Sequence, residues 1–265
     1  MKQVTLIMLY GPKPSILSRL IIESQEQISR MLGDYFQPYA MDQIHATLVD
    51  LRRASGSTMF NLNLERQRER AASMDFAGLL DFLRLGGHFP LQVQIGGFEN
   101  RDYPFVSQGQ RPYERSFSIV KGEVAVALMI GWPIRGNPAE IVKANPARLM
   151  QEGRIYPTVL DQIRQSFQSF NILHRYHSRL TDVDNDFYFR IGLIHQPSTD
   201  YLLQERVENT IRHFLSTLKP TIVEITISDI YLASYQDETL PLDSTQIWPI
   251  DDDKVTPEFI QSLYE

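Results

Sequence analysis

The stretch Ile44-His45-Ala46-Thr47-Leu48-Val49-Asp50-Leu51 decides how this chain is read. Its apolar, partly β-branched composition marks a strand. Strand alternation sends His45, Thr47 and Val49 to one face and Ile44, Ala46 and Leu48 to the other. A histidine and a threonine side by side on one strand face form a compact polar pair. The imidazole can move a proton near neutral pH, and the hydroxyl can hydrogen-bond a phosphoryl oxygen. The same spacing also fits a strand histidine with a purely local partner.

Working outward, Gln3 to Tyr10 reads as a strand broken by Gly11-Pro12, and Ser15 caps a helix to about Leu32, where Gly33 stops it. After the polar segment Arg52 to Arg70 come a helix from Asp75 to Leu85, the strand FPLQVQI (89–95) and a long loop from Glu99 to Arg115. A strand pair spans 116–132 with Lys121-Gly122 as its hairpin turn. A short helix is expected over Pro138 to Met150 and a longer one over Thr158 to Tyr176, with Val159, Ile163, Phe167, Phe170 and Leu173 on one face. The strand FYFRIGLI (187–194) follows, then a helix capped by Asp200, and one or two strands within Ile222 to Tyr235. The order predicts an α+β fold of two halves sharing one core, not a doubly wound parallel sheet. The whole of 1–265 is read as one two-lobed domain, with variable insertions near 52–74 and 133–157 and an acidic tail over 251–265.

With that outline around it, IHATLVDL resembles the first signature of the 2H phosphoesterases, the group that includes 2′-5′ RNA ligase-like proteins and cyclic nucleotide phosphodiesterases. FPLQVQIGGFEN (89–100) is similar to the mid-chain strand and glycine turn of that family, and ITISDIYLASYQDET (225–239) to its closing strand. The resemblance implies two pseudo-symmetric lobes with antiparallel sheets around a central cleft. It also implies two H-x-T/S motifs that face each other and cleave a phosphodiester without a metal. The second motif is expected on FYFRIGLI, where Tyr188-Phe189-Arg190-Ile191 stands in place of H-x-T-hydrophobic. Tyr188 and Arg190 share one strand face, and an arginine on a core-forming strand needs water, a carboxylate or a ligand phosphate.

The expected roles are His45 as base, Thr47 and Arg190 as phosphate clamps, and Tyr188 as acid. The expected partner is a 2′,3′-cyclic or 2′-5′ phosphodiester of a nucleotide or RNA end. Since tyrosine replaces a histidine, a second reading stays open: a degenerate module on the same fold that binds phosphate or nucleotide, or another protein. Arg115 and Tyr113, in a loop that interleaves arginines with aromatics, are further candidate ligand-binding residues. His195 is read as a strand-end residue. His174 and His177 are read as histidines at a helix C-terminus.

No metal and no cofactor is expected, because the chain has no cysteine and no calcium-loop pattern follows its aspartates. There is no P-loop, G-x-G-x-x-G, G-x-S-x-G or H-E-x-x-H motif. The net charge of −6 disfavours an extended nucleic-acid surface but leaves room for a local phosphate pocket. No apolar run is long enough for a signal peptide or a membrane span, so a cytoplasmic protein without membrane contact is expected.

Overall fold

A computed structural model describes residues 2–54, 59–103, 105–122, 124–134, 158–179, 181–195 and 201–265. The expected helix at Pro138 to Met150, most of the 133–157 insertion and the Asp200 cap lie outside the described residues. Among the described residues, no helix is long and apolar enough to cross a membrane.

The fold is α+β. Strands β1 (Gln3–Met8), β3 (Ala46–Asp50), β9 (Ile230–Tyr235) and β10 (Gln246–Pro249) make one half of the sheet. Strands β4 (Leu91–Ile95), β6 (Ala125–Ile134), β7 (Phe187–Ile194) and β8 (Thr221–Ile225) make the other. The order is β10-β9-β1-β3-β7-β6-β4-β8, with β2 (Phe36–Pro38) added on β7 and β5 (Phe117–Val120) on β6. The two halves therefore share one continuous antiparallel sheet. They join where Ala46 of β3 pairs with Phe189 of β7.

Alternation explains the placement as far as Leu48, where a register shift against β1 turns Val49, expected on the His45 face, into the main core and Asp50 toward the pocket. Ala46 and Leu48 of β3 and Phe187, Phe189 and Ile191 of β7 are fully buried in the main core. Helices α1 (Ser15–Leu32) and α6 (Tyr201–Thr217) pack on each other, and α1 also contacts β7 and β8. The helix α1 begins after Pro14 with no side-chain cap, so Ser15 is its first residue and not its cap. On the other sheet face, β1 and β9 set Ile7, Ala233 and Tyr235 in a smaller apolar cluster with Tyr10 and Leu240. That face carries the polar positions of β3 and β7.

The segment 52–74 is ordered by α2 (Leu62–Arg68), whose Asn61 cap accepts from the Leu64 N–H at 3.0 Å. The acidic tail is no loose end. Its helix α7 (Pro257–Ser262), capped by Thr256, packs on α3 (Phe76–Leu85) and buries Ile260, Leu263 and Tyr264.

Gly192 lets β2 close onto β7. A Cβ there would stand 2.4 Å from the Phe36 ring and 2.7 Å from the Gln37 carbonyl oxygen. Backbone cannot yield as a side chain can, so Gly192→Ala is expected to cost about 1–3 kcal/mol. Urea unfolding of the variant and the parent checks this, and equal midpoints would contradict it.

Candidate active site

The Ala46–Phe189 pair fixes what faces what. One residue either way along the antiparallel register, His45 stands across from Arg190 and Thr47 across from Tyr188. All four point away from the main core into one pocket of about 660 Å³ open to solvent. Asp50, Arg52, Arg175, Glu238 and His174 surround them, with Tyr235 and Leu240 as an apolar wall.

His45 is 7% exposed, and its Nδ1 lies 2.8 Å from the Gln43 carbonyl oxygen. Burial lowers its pKa to about 4; the Gln43 bond opposes this, while Arg190 and Lys13 push it further down. The ring is therefore neutral at pH 7. A carbonyl only accepts, so Nδ1 carries the proton and Nε2 keeps its lone pair. Lys13 donates to the carbonyls of Gly11 (2.7 Å) and Met41 (2.6 Å).

The cations in the pocket differ in how far they are neutralised. Arg52 is ion-paired with Asp50 and, at 2.6 Å, with Glu238. Arg190 donates Nη1 to the Glu238 backbone oxygen at 3.0 Å, and no carboxylate among the described residues is paired with it. Tyr188 is pushed up to about 12 by burial and by Tyr176, against the lowering effects of Arg164 and the Thr47 hydroxyl. It is a neutral hydrogen-bond donor across the physiological range.

No protein-family model matches the chain, and no curated protein matches its sequence. Among solved structures, it is similar to TT0787 of Thermus thermophilus, at 10% identity over 93% of each chain, with a TM-score of 0.37. It is also similar to Usb1 of Kluyveromyces marxianus, at 13% identity over 93% of this chain and 98% of that one, with a TM-score of 0.41.

The structure separates two expected ligand-binding residues from the pocket. Arg115 and Tyr113 lie on the short helix α4 (Pro112–Arg115) and do not line it. Arg115 is ion-paired with the buried Asp186, and Arg111 with Glu114 and Asp102. The loop aromatics Tyr103 and Phe105 pack with Phe98 and Trp132 in a small core of their own. Arginines interleaved with aromatics here serve packing and ion pairs. His195 shares a hydrogen bond with Gln37 Oε1 at 2.8 Å, away from the pocket.

The expected helix to Tyr176 stops early. It comprises α5 (Val159–Ser166) and a 3-10 turn, Phe167–Phe170, ended by Asn171 at φ 59°. His174 and His177 therefore sit in a loop, beyond any helix terminus, and are 2% and 1% exposed. His174 Nε2 is 2.5 Å from Asp184 Oδ2, and His177 Nε2 is 2.9 Å from Asp161 Oδ1. Asp184 and Asp186 are fully buried beside Arg164. Their signal was the spacing of Asp182, Asp184 and Asp186 at every second residue into a strand, which sets one face. Among the described residues, no cluster of three or more His, Asp or Glu side chains is placed to hold a metal.

Burial holds His174, like His45, at about 4; the Arg164 guanidinium adds to this, and the Asp184 hydrogen bond opposes it. In the unfolded chain, both rings take up a proton near about 6.5. Between these values the unfolded chain binds more protons, so stability is full above about 6.5 and falls as pH drops toward 4. The urea midpoint is expected to decline from pH 7 to about 4.5, and less steeply in His45→Asn. A midpoint that is flat over that interval would contradict the burial of neutral rings.

Proposed function

We propose that the chain binds a 2′,3′-cyclic or 2′-5′ phosphodiester at a nucleotide or RNA end in the pocket between β3 and β7, and cleaves it without a metal. One observation carries the reading: His45, Thr47, Tyr188 and Arg190, from strands far apart in sequence, converge on a single pocket, and among the described residues the Arg190 charge has no carboxylate partner there. The similarity of His45-x-Thr47 to the first 2H signature supports the same reading.

The chemistry follows from the groups present. Arg190 and the hydroxyls of Thr47 and Tyr188 hold the phosphoryl oxygens, which need donors and positive charge. His45 Nε2 removes a proton from water as that water attacks phosphorus. The bond from phosphorus to the leaving ribose oxygen breaks, and that oxygen takes a proton. Tyr188 at about 12 is a weak source for it, because acid–base catalysis favours a pKa near the working pH. That mismatch favours, as a second reading, a site that binds the phosphate with little turnover.

Binding is tested at Arg190. Arg190→Ala is expected to weaken 2′-AMP binding by about 1.5–3 kcal/mol, the range for a hydrogen bond to a charged group. Calorimetric titration measures it, with hydrolysis of 2′,3′-cyclic AMP followed in parallel. Unchanged affinity in the variant, or no binding by the parent protein, would sink the proposal.

A further inference from the structure

Tyr188 leaves the pocket short of a second group able to exchange a proton near neutrality, yet a second imidazole lines it. His174 reaches the pocket from the loop after the 3-10 turn, and its setting is built, not incidental. Its Nε2 lies 2.5 Å from Asp184 Oδ2. Asp184 is in turn held by Arg164 Nη1 at 3.1 Å and Gln108 Nε2 at 3.0 Å. Burial opposes charge on Asp184, but Arg164 and His174 hold its carboxyl well below the usual carboxylate range. A carboxylate only accepts, so His174 Nε2 keeps its proton whether the ring is neutral or charged.

The other nitrogen, Nδ1, is buried and has no hydrogen-bond partner. Buried polar atoms are satisfied as a rule, so an orphaned nitrogen on a pocket residue marks a place where an incoming group would be received. His177 has the same pattern, with Nε2 on Asp161 and Nδ1 unpartnered, but it does not line the pocket. A carboxylate behind a pocket-lining imidazole is also the arrangement that fixes a tautomer and steadies the imidazolium.

We propose that His174, oriented by Asp184, is the second proton-transfer group of this site and delivers the proton to the leaving ribose oxygen. The inference rests on the phosphoesterase reading above. The protons balance. His45 Nε2 gains the proton of the attacking water, and His174 Nδ1 gives its own to the leaving oxygen as the P–O bond breaks. Solvent then takes the proton from His45 and restores one to His174.

The charged and titratable groups around His174 set its behaviour. Asp184 and Arg164 lie beneath it, and His177 and Tyr176 of its own loop have ring centroids 5.2 and 5.7 Å away. Tyr188 of β7, Arg175, and the Arg52–Asp50–Glu238 set share its pocket. Burial and Arg164 keep the ring neutral in the empty site. A phosphate anion entering opposite Asp184 places negative charge on both sides of the ring and draws a proton onto Nδ1.

Imidazole NMR of the whole chain, titrated with pH in the absence and presence of 2′-AMP, reads this directly. The His174 pKa is expected to rise by about two to three units when 2′-AMP binds, the upper part of the range for a nearby opposite charge and enough to protonate Nδ1 near neutrality. In kinetics with 2′,3′-cyclic AMP, the rate should fall on the alkaline side as His174 loses its proton. His174→Asn should remove that limb and about 10²-fold or more of kcat, while 2′-AMP affinity changes less than about threefold, under 1 kcal/mol. Asp184→Asn should move the limb to lower pH. If 2′-AMP binds but the His174 pKa stays put, or the limb survives in His174→Asn, the inference falls while the phosphoesterase reading stands. Tight 2′-AMP binding with no turnover by the parent protein also overturns it. No binding of 2′-AMP at all overturns the reading and the inference together. Should His174→Asn fail to fold, the titration of the unaltered protein still decides.

Discussion

Arg164→Leu is expected to cost the fold about 3–5 kcal/mol, the range for removing one partner of a buried charge pair. Arg164 is fully buried. Its Nε donates to the Leu48 carbonyl at 3.0 Å and its Nη2 to that of Thr47 at 2.8 Å. Its Nη1 serves the carbonyls of Asp184 (3.2 Å) and Asp186 (3.0 Å) and the Asp184 carboxylate (3.1 Å). Those carbonyls belong to β3 and to the chain just before β7. Beyond the Ala46–Phe189 pair no further pairing joins the two strands, and one guanidinium bridges carbonyl oxygens of both segments. Leucine would leave those carbonyls unserved and an ionised Asp184 buried without its cationic partner, held only by His174 and Gln108. Urea unfolding of Arg164→Leu, compared with Arg164→Leu/Asp184→Asn, checks the origin of the loss. The double variant should recover part of it, because the stranded charge is gone while the carbonyls stay unserved. A single variant within about 1 kcal/mol of the parent would contradict this role.

The alternation of IHATLV and of FYFRIGLI was enough to place His45, Thr47, Tyr188 and Arg190, because strand parity is a local rule and both strands bury one face completely. Their juxtaposition across one strand pair came from the resemblance, since no local pattern in either segment says which strand lies beside which. Arg164 was invisible for the opposite reason. On α5 it reads as a polar residue on the outer face of an amphipathic helix. Only the tertiary fold shows that it points inward at oxygens from positions 47, 48, 184 and 186. Arg115 and Tyr113 lie outside the pocket, and composition alone cannot distinguish an arginine waiting for a phosphate from one already facing a buried aspartate. The His174 error came from helix length. The apolar period continues through Phe170 and Leu173, but Asn171 in the left-handed region breaks the helix and turns both histidines inward.

His45→Ala is the change expected to have the largest effect on activity. The base must hold a lone pair at the working pH and present it to the pocket. Its Nδ1 proton is committed to the Gln43 carbonyl at 2.8 Å, which leaves Nε2 as the only basic position. Its pKa near 4 keeps that position unprotonated across the neutral range, at the cost of a modest intrinsic basicity. Alanine removes the proton acceptor and leaves Thr47 and Arg190 in place, so hydrolysis of 2′,3′-cyclic AMP should drop by about 10²–10⁴-fold. The 2′-AMP dissociation constant should move by less than about threefold, under 1 kcal/mol, because the ring is not counted among the phosphate clamps. The inverse pattern is expected of Arg190→Ala, in which affinity falls first. Single-turnover rates and calorimetric titrations on the two variants separate the roles. If His45→Ala keeps the parent rate, the proton goes elsewhere and His45 is a strand residue satisfied by Gln43 alone. If both variants lose affinity equally and neither parent nor variant turns over, the pocket holds phosphate without cleaving it.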